Sequence, residues 1–275
     1  MPRPARTYST EAIVLRRRNL GEADSIFTVF SRDEGKFDAV ARGIRKTTSR
    51  MRGHMEPLTQ VQVHLARGRT LDVLTQAETI AAHRALKADL DRLNLALYCA
   101  ELIDRFTIDR VEQRPLYELL ADALDALEAG ASPMAVRYFE YHLLAIAGYE
   151  LQATACALCH ARLPEEETLF SAPAGGLACR DCRPRTEQGR LLGVRTIKVL
   201  RYARIASIRE FDSVRVDDIL AHDLQFALGG LIHQVIDREL NTVRYMDAIV
   251  RGQRSAAIPP IHVQSDQPEL APPEP

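Results

Sequence analysis

Two cysteine pairs carry the sharpest chemical signal in this chain. Cys156-Ala-Leu-Cys159 is followed, after nineteen residues, by Cys179-Arg-Asp-Cys182. Each CxxC wraps its backbone about one centre and presents two thiolates on the same side, so two pairs at this spacing read as a four-cysteine zinc site. Thiolates are soft donors that select Zn²⁺ over Mg²⁺ or Ca²⁺. Gly175-Gly176, just before the second pair, lets the intervening segment fold back as a hairpin. Four thiolates fill a tetrahedron and leave no place for water, so the expected metal is one structural zinc, not a catalytic one. Three other readings compete. Cys156–His160 spells the haem-attachment pattern CxxCH, but that chemistry needs export and leaves the second pair unexplained. A thioredoxin-like redox pair wants a βαβ surround, and the neighbours here are helical. The plainest alternative is four ordinary thiols. His160 is expected beside the site rather than in it, and Cys99, on a leucine-rich helix, as a small buried apolar residue.

The second signal is charge. The formal net charge of −1 argues against a nucleic-acid partner until its distribution is read. From Ala41 to Arg69 there are seven basic residues, Arg42, Arg45, Lys46, Arg50, Arg52, Arg67 and Arg69, against the single acid Glu56. Arg16-Arg17-Arg18 lie just upstream, and the stretch 81–150 is acidic instead. A basic module joined to an acidic one offers one face to polyanions and another to different partners. Arg16, Arg18 and Lys36 join the seven as candidate DNA-binding residues. The competing reading is a solvated face with no ligand. Tyr8, Phe27, Phe30 and Phe37 share the module; some must be core, and any one is a candidate for base stacking.

Catalytic signatures are missing. Gly35-Lys36 resembles the end of a phosphate loop, but Phe30 stands where its first Gly belongs and Phe37 where Ser or Thr must hold Mg²⁺. GxGxxG, HExxH and GxSxG do not occur. No catalytic residue is assigned, and no enzyme is expected. His142, beside Leu143, reads as a structural group.

Elements must hold these groups in place. Residues 1–80 read as β, with apolar stretches at Ala12–Leu15, Ile26–Phe30, Phe37–Val40, Val61–Leu65 and Leu71–Leu74. Val61, Val63 and Leu65 alternate with Gln62 and His64, the period of a strand with one buried face. Five short strands with an irregular stretch at 43–57 suit a small OB-type barrel, with an SH3-like barrel as the alternative. Residues 81–150 change to helical period, with Leu86, Leu90, Leu93 and Leu97 in one stripe. A second helix is expected over 115–129. A third starts at Ser132-Pro133, with Ser as cap and Pro in the first turn, and ends near Gly148. Residues 151–188 form the four-cysteine module. Helix returns over 189–252, with Leu220, Leu224, Leu228, Leu231 and Val235 in a stripe, and a Pro-rich tail at 253–275 is expected to be disordered. The predicted class is therefore α+β and multi-domain: an N-terminal OB-fold barrel, then an all-helical domain with an inserted four-cysteine zinc module.

Composition fits a soluble globular protein, 46% hydrophobic and 27% charged over 275 residues. No run of eighteen apolar residues predicts a membrane span. The start, MPRPARTYSTEAIVLRRR, has no long apolar core or small-residue cleavage site, so no leader is expected. A reducing, cytoplasmic compartment follows, where five cysteines suggest metal or burial before disulfides.

These features together resemble the RecO family of bacterial recombination mediators. The N-terminal run EAIVLRRRNLGEADSIFTVFSRDEGKFDAVARGIRKTTSRMRGHMEP is similar to that family's barrel signature, with Gly21-Glu22-Ala23-Asp24, Glu34-Gly35-Lys36, Ala41-Arg42-Gly43 and a basic stretch ending in Pro57. Ala147-Gly148-Tyr149 before the first CxxC, and Arg238-Glu-Leu-Asn-Thr-Val-Arg244-Tyr late in the chain, resemble two further landmarks, so the likeness spans about residues 8–250. The chain departs at His160, where many members have Gly. The resemblance implies a non-enzymatic protein of DNA damage repair and DNA recombination. Such a protein binds single- and double-stranded DNA, anneals complementary strands, contacts single-strand-binding protein, and with RecR helps load RecA. It implies a cytoplasmic, nucleoid-associated location. On this chain it puts Arg42, Arg45, Lys46, Arg50 and Arg52 in the DNA-binding stretch and Cys156, Cys159, Cys179 and Cys182 on the zinc positions. The alternative from another class is a zinc-ribbon scaffold protein whose barrel binds RNA or protein; a nucleic-acid hydrolase is a third. Salt-dependent DNA binding without strand cleavage separates the first from both.

Overall fold

The chain begins as β because its apolar residues come in short alternating runs broken by turn residues. The computed structural model describes residues 6–186 and 189–236. Five strands open it: β1 Thr7–Leu20, β2 Asp24–Ser31, β3 Gly35–Ala41, β4 Gln60–Ala66 and β5 Asp72–Ala81. Their pairing runs β1-β2-β3-β5-β4, and β4 pairs back onto β1, so this unit closes on itself. All pairs are antiparallel except β3 with β5. Strand β1 makes closure possible by serving two neighbours: Thr7–Ile13 pair with β4 and Ala12–Leu20 with β2, with an irregularity between Val14 and Arg16.

The run Ala12–Leu15 is continuous rather than alternating because both faces of β1 are buried there. Ala12 and Val14 join the interior of the β unit with Phe27, Phe37, Val61 and Val63. Ile13 and Leu15 join Phe30 and Leu58 in the core of the helical body. In β4 the alternation is kept, with Val61, Val63 and Leu65 inside and His64 exposed.

Helices follow: α1 Arg84–Ala88, α2 Leu90–Phe106, α3 Arg114–Glu128 and α4 Met134–Ile146. The stripe expected from Leu86 onward is interrupted at Asp89, whose carboxylate accepts from the backbone N–H groups of Asp91 and Arg92 and so starts a new helix. Leu90 is left 58% exposed, and the buried face of α2 is carried by Leu95, Ala96, Cys99, Leu102 and Ile103. Helix α4 starts one residue later than the Ser132 cap suggests. Ser132 Oγ accepts from Met134 N at 3.2 Å and donates to Asp212 at 2.6 Å, so it also ties this end to a later helix. At its other end Gly148, at φ +88°, lets Tyr149 N reach Leu144 O and Gly148 N reach Ala145 O, a Schellman closure.

A small sheet, β6 Thr168–Ser171, β7 Gly176–Ala178 and β8 Arg190–Leu192, then takes the order β7-β6-β8. Three helices complete the described chain: α5 Val194–Ala203, α6 Ile208–Asp212 and α7 Asp218–Val235. Leu220, Leu224, Leu228 and Leu231 of the expected α7 stripe are buried, and Val235 packs against them partly exposed. The expected Arg238–Arg244 helix, the later part of the 189–252 stretch and the tail 253–275 lie outside the described residues. Among the described residues no helix is long and apolar enough to cross a membrane.

Candidate nucleic-acid interface and metal centre

The ten basic residues singled out in the β unit divide into two sets. One set is bonded. Arg16 Nε lies 3.2 Å from the Asp104 carboxylate. Lys36 is 9% exposed; its Nζ donates to the Asp104 backbone carbonyl at 2.6 Å and lies 3.0 Å from the Asp104 carboxylate and 3.5 Å from that of Asp109. Arg18 pairs with Asp38. Arg67 sits 3.6 Å from Glu34 and stacks over the Tyr8 ring at 4.4 Å. Arg45 is exposed, and one guanidinium N–H donates to Gly21 O at 2.9 Å.

The other set is free. Arg42, Lys46, Arg50, Arg52 and Arg69 are exposed, and none has a side-chain partner among the described residues. Four of the five lie on the segment between β3 and β4. Its ends are fixed by the buried side chains of Ile44 and Met55 and by Gly43 N donating to Asp24 Oδ1 at 2.7 Å. Local turns close within it, from Lys46 N to Gly43 O and from Ser49 N to Lys46 O. The single acid of the stretch, Glu56, lies 3.8 Å from Lys87, which turns it toward the helical body. The segment is an anchored, outward-facing cationic loop, the kind of surface that polyanions recognise.

The rings are placed otherwise. Phe27, Phe30 and Phe37 are at most 2% exposed, so they are core and not stacking platforms. Tyr8 is half-buried and its hydroxyl donates to Asp72 at 2.5 Å. Burial first, then that bond, raise the Tyr8 pKa to about 12. Burial also pushes the Asp72 carboxyl up, but Tyr8, Arg110 and the Gly68 N–H outweigh it and hold it below its ordinary value. Arg110 comes from the loop after α2, donates to Asp72 at 2.5 Å and covers Phe37 at 4.1 Å. Gly35 faces the same loop: a Cβ there would meet Val111 O at 2.1 Å. Asp104, Asp109 and Arg110, which lock the β unit to the helices, carried no sequence signal.

The four cysteines converge. Their sulfurs all lie within 4.8 Å of one another. The first pair sits on a tight turn, with His160 N donating to Cys156 O at 2.9 Å and Cys156 N to Ala161 O at 2.8 Å. His160 adopts φ +61° to close it, a conformation that favours Gly, and its side chain is exposed. The β6–β7 hairpin brings the second pair alongside, through Ala157 N to Leu177 O at 2.8 Å and Cys179 N to Cys156 Sγ at 3.4 Å. Gly176 permits this approach, since a Cβ would stand 2.4 Å from Gln152 O. Burial raises the Cys156 thiol, but N–H groups led by that of Cys179 outweigh it and bring it to about 6, while burial and the neighbouring thiols push Cys182 to about 12. Four thiols crowded in this way, none of them in a disulfide, can bind a metal ion. Cys99 is fully buried in the helical core and is not one of the four clustered cysteines.

Residues 5–83 match the family described as Recombination protein O N terminal, and residues 87–244 match Recombination protein O C terminal. The curated protein named DNA repair protein RecO of Dehalococcoides mccartyi strain BAV1 is 32% identical over 243 residues, covering 88% of this chain and 96% of that one. Its namesake in Roseiflexus sp. strain RS-1 is 32% identical over 253 residues, covering 92% and 89%. That of Desulforamulus reducens strain MI-1 is 34% identical over 247 residues, covering 89% and 96%.

Proposed function

This chain belongs to the RecO family of DNA repair proteins, and we propose that it serves there as a DNA-binding recombination mediator without catalysis. One observation carries the reading: the loop between β3 and β4 presents Arg42, Lys46, Arg50 and Arg52 exposed and with no side-chain partner among the described residues, while Arg16, Arg18, Lys36, Arg45 and Arg67 are tied to acids or a carbonyl. Unpaired arginines bind phosphates with the least loss, because no internal ion pair is broken first. Phosphate contacts carry no sequence information, so a surface that binds through them suits any sequence, on single strands and duplex alike. Arg45 and Arg69 extend this surface; Arg16, Arg18, Lys36 and Arg67 support the frame behind it.

We read the strand order β1-β2-β3-β5-β4 as an OB-fold barrel, with residues 1–80 as the DNA-binding domain. The helical domain is 81–150 and 189–252, interrupted by a zinc module at 151–188. Cys156, Cys159, Cys179 and Cys182 would hold one Zn²⁺. The donor set fits: four sulfurs within 4.8 Å of one another can converge on one cation, and all four positions would be filled by sulfur. The metal would supply rigidity and no reaction. Holding one strand on a sequence-blind surface favours annealing of its complement, and the acidic helical body is the side proposed to meet RecR and single-strand-binding protein, and through them RecA, in the cytoplasm.

Annealing tests this directly. Complementary oligonucleotides should pair faster with the protein than without, with neither strand cut and no ATP hydrolysed. Binding confined to RNA, or strand cleavage that survives repurification, sinks the mediator reading.

A further inference from the structure

The four thiols differ in access. Cys156 and Cys182 are 0% and 4% exposed; Cys179 is half-buried and Cys159 is exposed. The sulfurs of Cys159 and Cys179 stand 3.7 Å apart. The centre therefore has a closed side, made by Cys156 and Cys182, and an open edge, made by the other two. Attack by a thiolate needs an unobstructed approach to sulfur, so reagents meet the open edge first.

We propose that Cys159 is the oxidation site of this metal centre, and that hydrogen peroxide opens the centre by joining Cys159 to Cys179 and releasing zinc. The inference rests on the zinc reading above. The Cys159 thiolate attacks one peroxide oxygen, the O–O bond breaks and hydroxide leaves, giving a sulfenic acid. The Cys179 thiolate then attacks that sulfur, the S–O bond breaks and a second hydroxide leaves. Two protons from the buffer turn the two hydroxides into two water molecules; two electrons have passed from the thiolates to the peroxide. Zinc stays Zn²⁺ throughout and departs because two of its four donors are gone. The sulfurs must close from 3.7 Å to about 2 Å, and Cys159, on the exposed turn ending at His160, is the one placed to move.

The β6–β7 hairpin has other anchors, including Leu177 N to Gln152 O at 2.9 Å and the Phe170–Phe226 contact at 6.0 Å. Opening should therefore free the Cys179–Arg185 turn while the sheet remains. Hydrogen peroxide would be added to the zinc-loaded full chain, its zinc first measured by elemental analysis. Released zinc is followed with a chromophoric chelator, and the cysteines are mapped by mass spectrometry. About one zinc should leave per Cys159–Cys179 disulfide, and limiting maleimide should label Cys159 first. First labelling at another cysteine, a disulfide joining a different pair, or zinc retained after oxidation would overturn the proposal. Protein that carries no zinc at the outset overturns the zinc reading and this inference together.

Discussion

The β3–β4 loop and the joint between the β unit and the helices use the same residue types for opposite ends. At the joint, Lys36 is buried against Asp104, and Arg16 reaches the same carboxylate. On the loop, Arg42, Lys46, Arg50 and Arg52 have no hydrogen-bond or ion-pair partner for their side chains among the described residues. A buried charge must be paired, because desolvation costs more than an exposed contact returns. An exposed arginine has no such need and stays available. The acids and carbonyls around a basic residue, not its basic character, decide whether it is paired or left open.

Removing the acid at the joint should have the largest effect. Asp104→Ala leaves Lys36 buried with a backbone carbonyl and the exposed Asp109. Breaking one side of a buried pair typically costs about 3 kcal/mol, so denaturant unfolding should show a loss near that size. The salt dependence of DNA binding by the folded variant should stay as in the parent. A loss below about 0.5 kcal/mol would mean that the joint is not held by this pair.

The loop should respond the other way round. Arg42→Ala, Arg50→Ala and Arg52→Ala together should flatten the log–log salt slope on single-stranded DNA by about 2, at roughly 0.7 per phosphate contact. Thermal stability should barely move, since these side chains are exposed and have no hydrogen-bond or ion-pair partner among the described residues. The Arg16→Ala, Arg18→Ala double variant should keep the parent slope. Anisotropy titrations at several salt concentrations read both; a triple variant with the parent slope would reassign the site, first to the exposed arginines beside the cysteines, Arg162, Arg183 and Arg185.

The sequence made some of this visible and hid the rest for physical reasons. The alternation of Val61, Val63 and Leu65 is a local property, and so is CxxC spacing; both survive folding intact. The fate of Lys36 is not local: its partner Asp104 lies 68 positions away, on a helix whose docking no short window encodes. Leu90 reads as core by period yet is exposed, because Asp89 restarts the helix and turns the buried face to Leu95 and Cys99. Phe27, Phe30 and Phe37 kept open a stacking role that burial removed, of Phe27 and Phe37 inside the β unit and of Phe30 against the helices.

Acid distinguishes the two regions by a smaller effect. Asp72 is held below its ordinary pKa, so its ionised form favours the fold. That contribution is present above the unfolded carboxyl value of about 4 and is lost as pH falls through the lower folded value. Asp72→Asn should lose about 1–2 kcal/mol at neutral pH and show a flatter stability curve below about pH 4. The loop triple variant should follow the parent curve. Identical acid profiles for Asp72→Asn and parent would remove Asp72 from the account of the joint.

The smallest effect concerns backbone conformation. Leu58, His83, Arg110 and His160 are the non-glycine residues with positive φ among the described residues. Three belong to the joint, where the strain is tied down: Leu58 N donates to Val14 O at 2.7 Å, His83 bonds Leu58 O at 2.8 Å, and Arg110 N donates to Lys36 O at 2.8 Å. His160 differs, because its exposed side chain has no partner among the described residues and its backbone closes the cysteine turn. Glycine adopts φ +61° without the Cβ cost, though it also loses more freedom on folding. The two effects oppose, and the strain of a left-handed residue, about 1 kcal/mol, is the larger. His160→Gly should therefore stabilise the zinc-loaded protein by a few tenths to about 1 kcal/mol and slow zinc loss to a chelator. His83→Gly should destabilise, since it deletes buried bonds to Leu58 and Asp125 along with the strain. Thermal unfolding and chelator kinetics on both variants read the contrast, and destabilisation by His160→Gly would show that this imidazole has a role the joint-and-loop comparison does not contain.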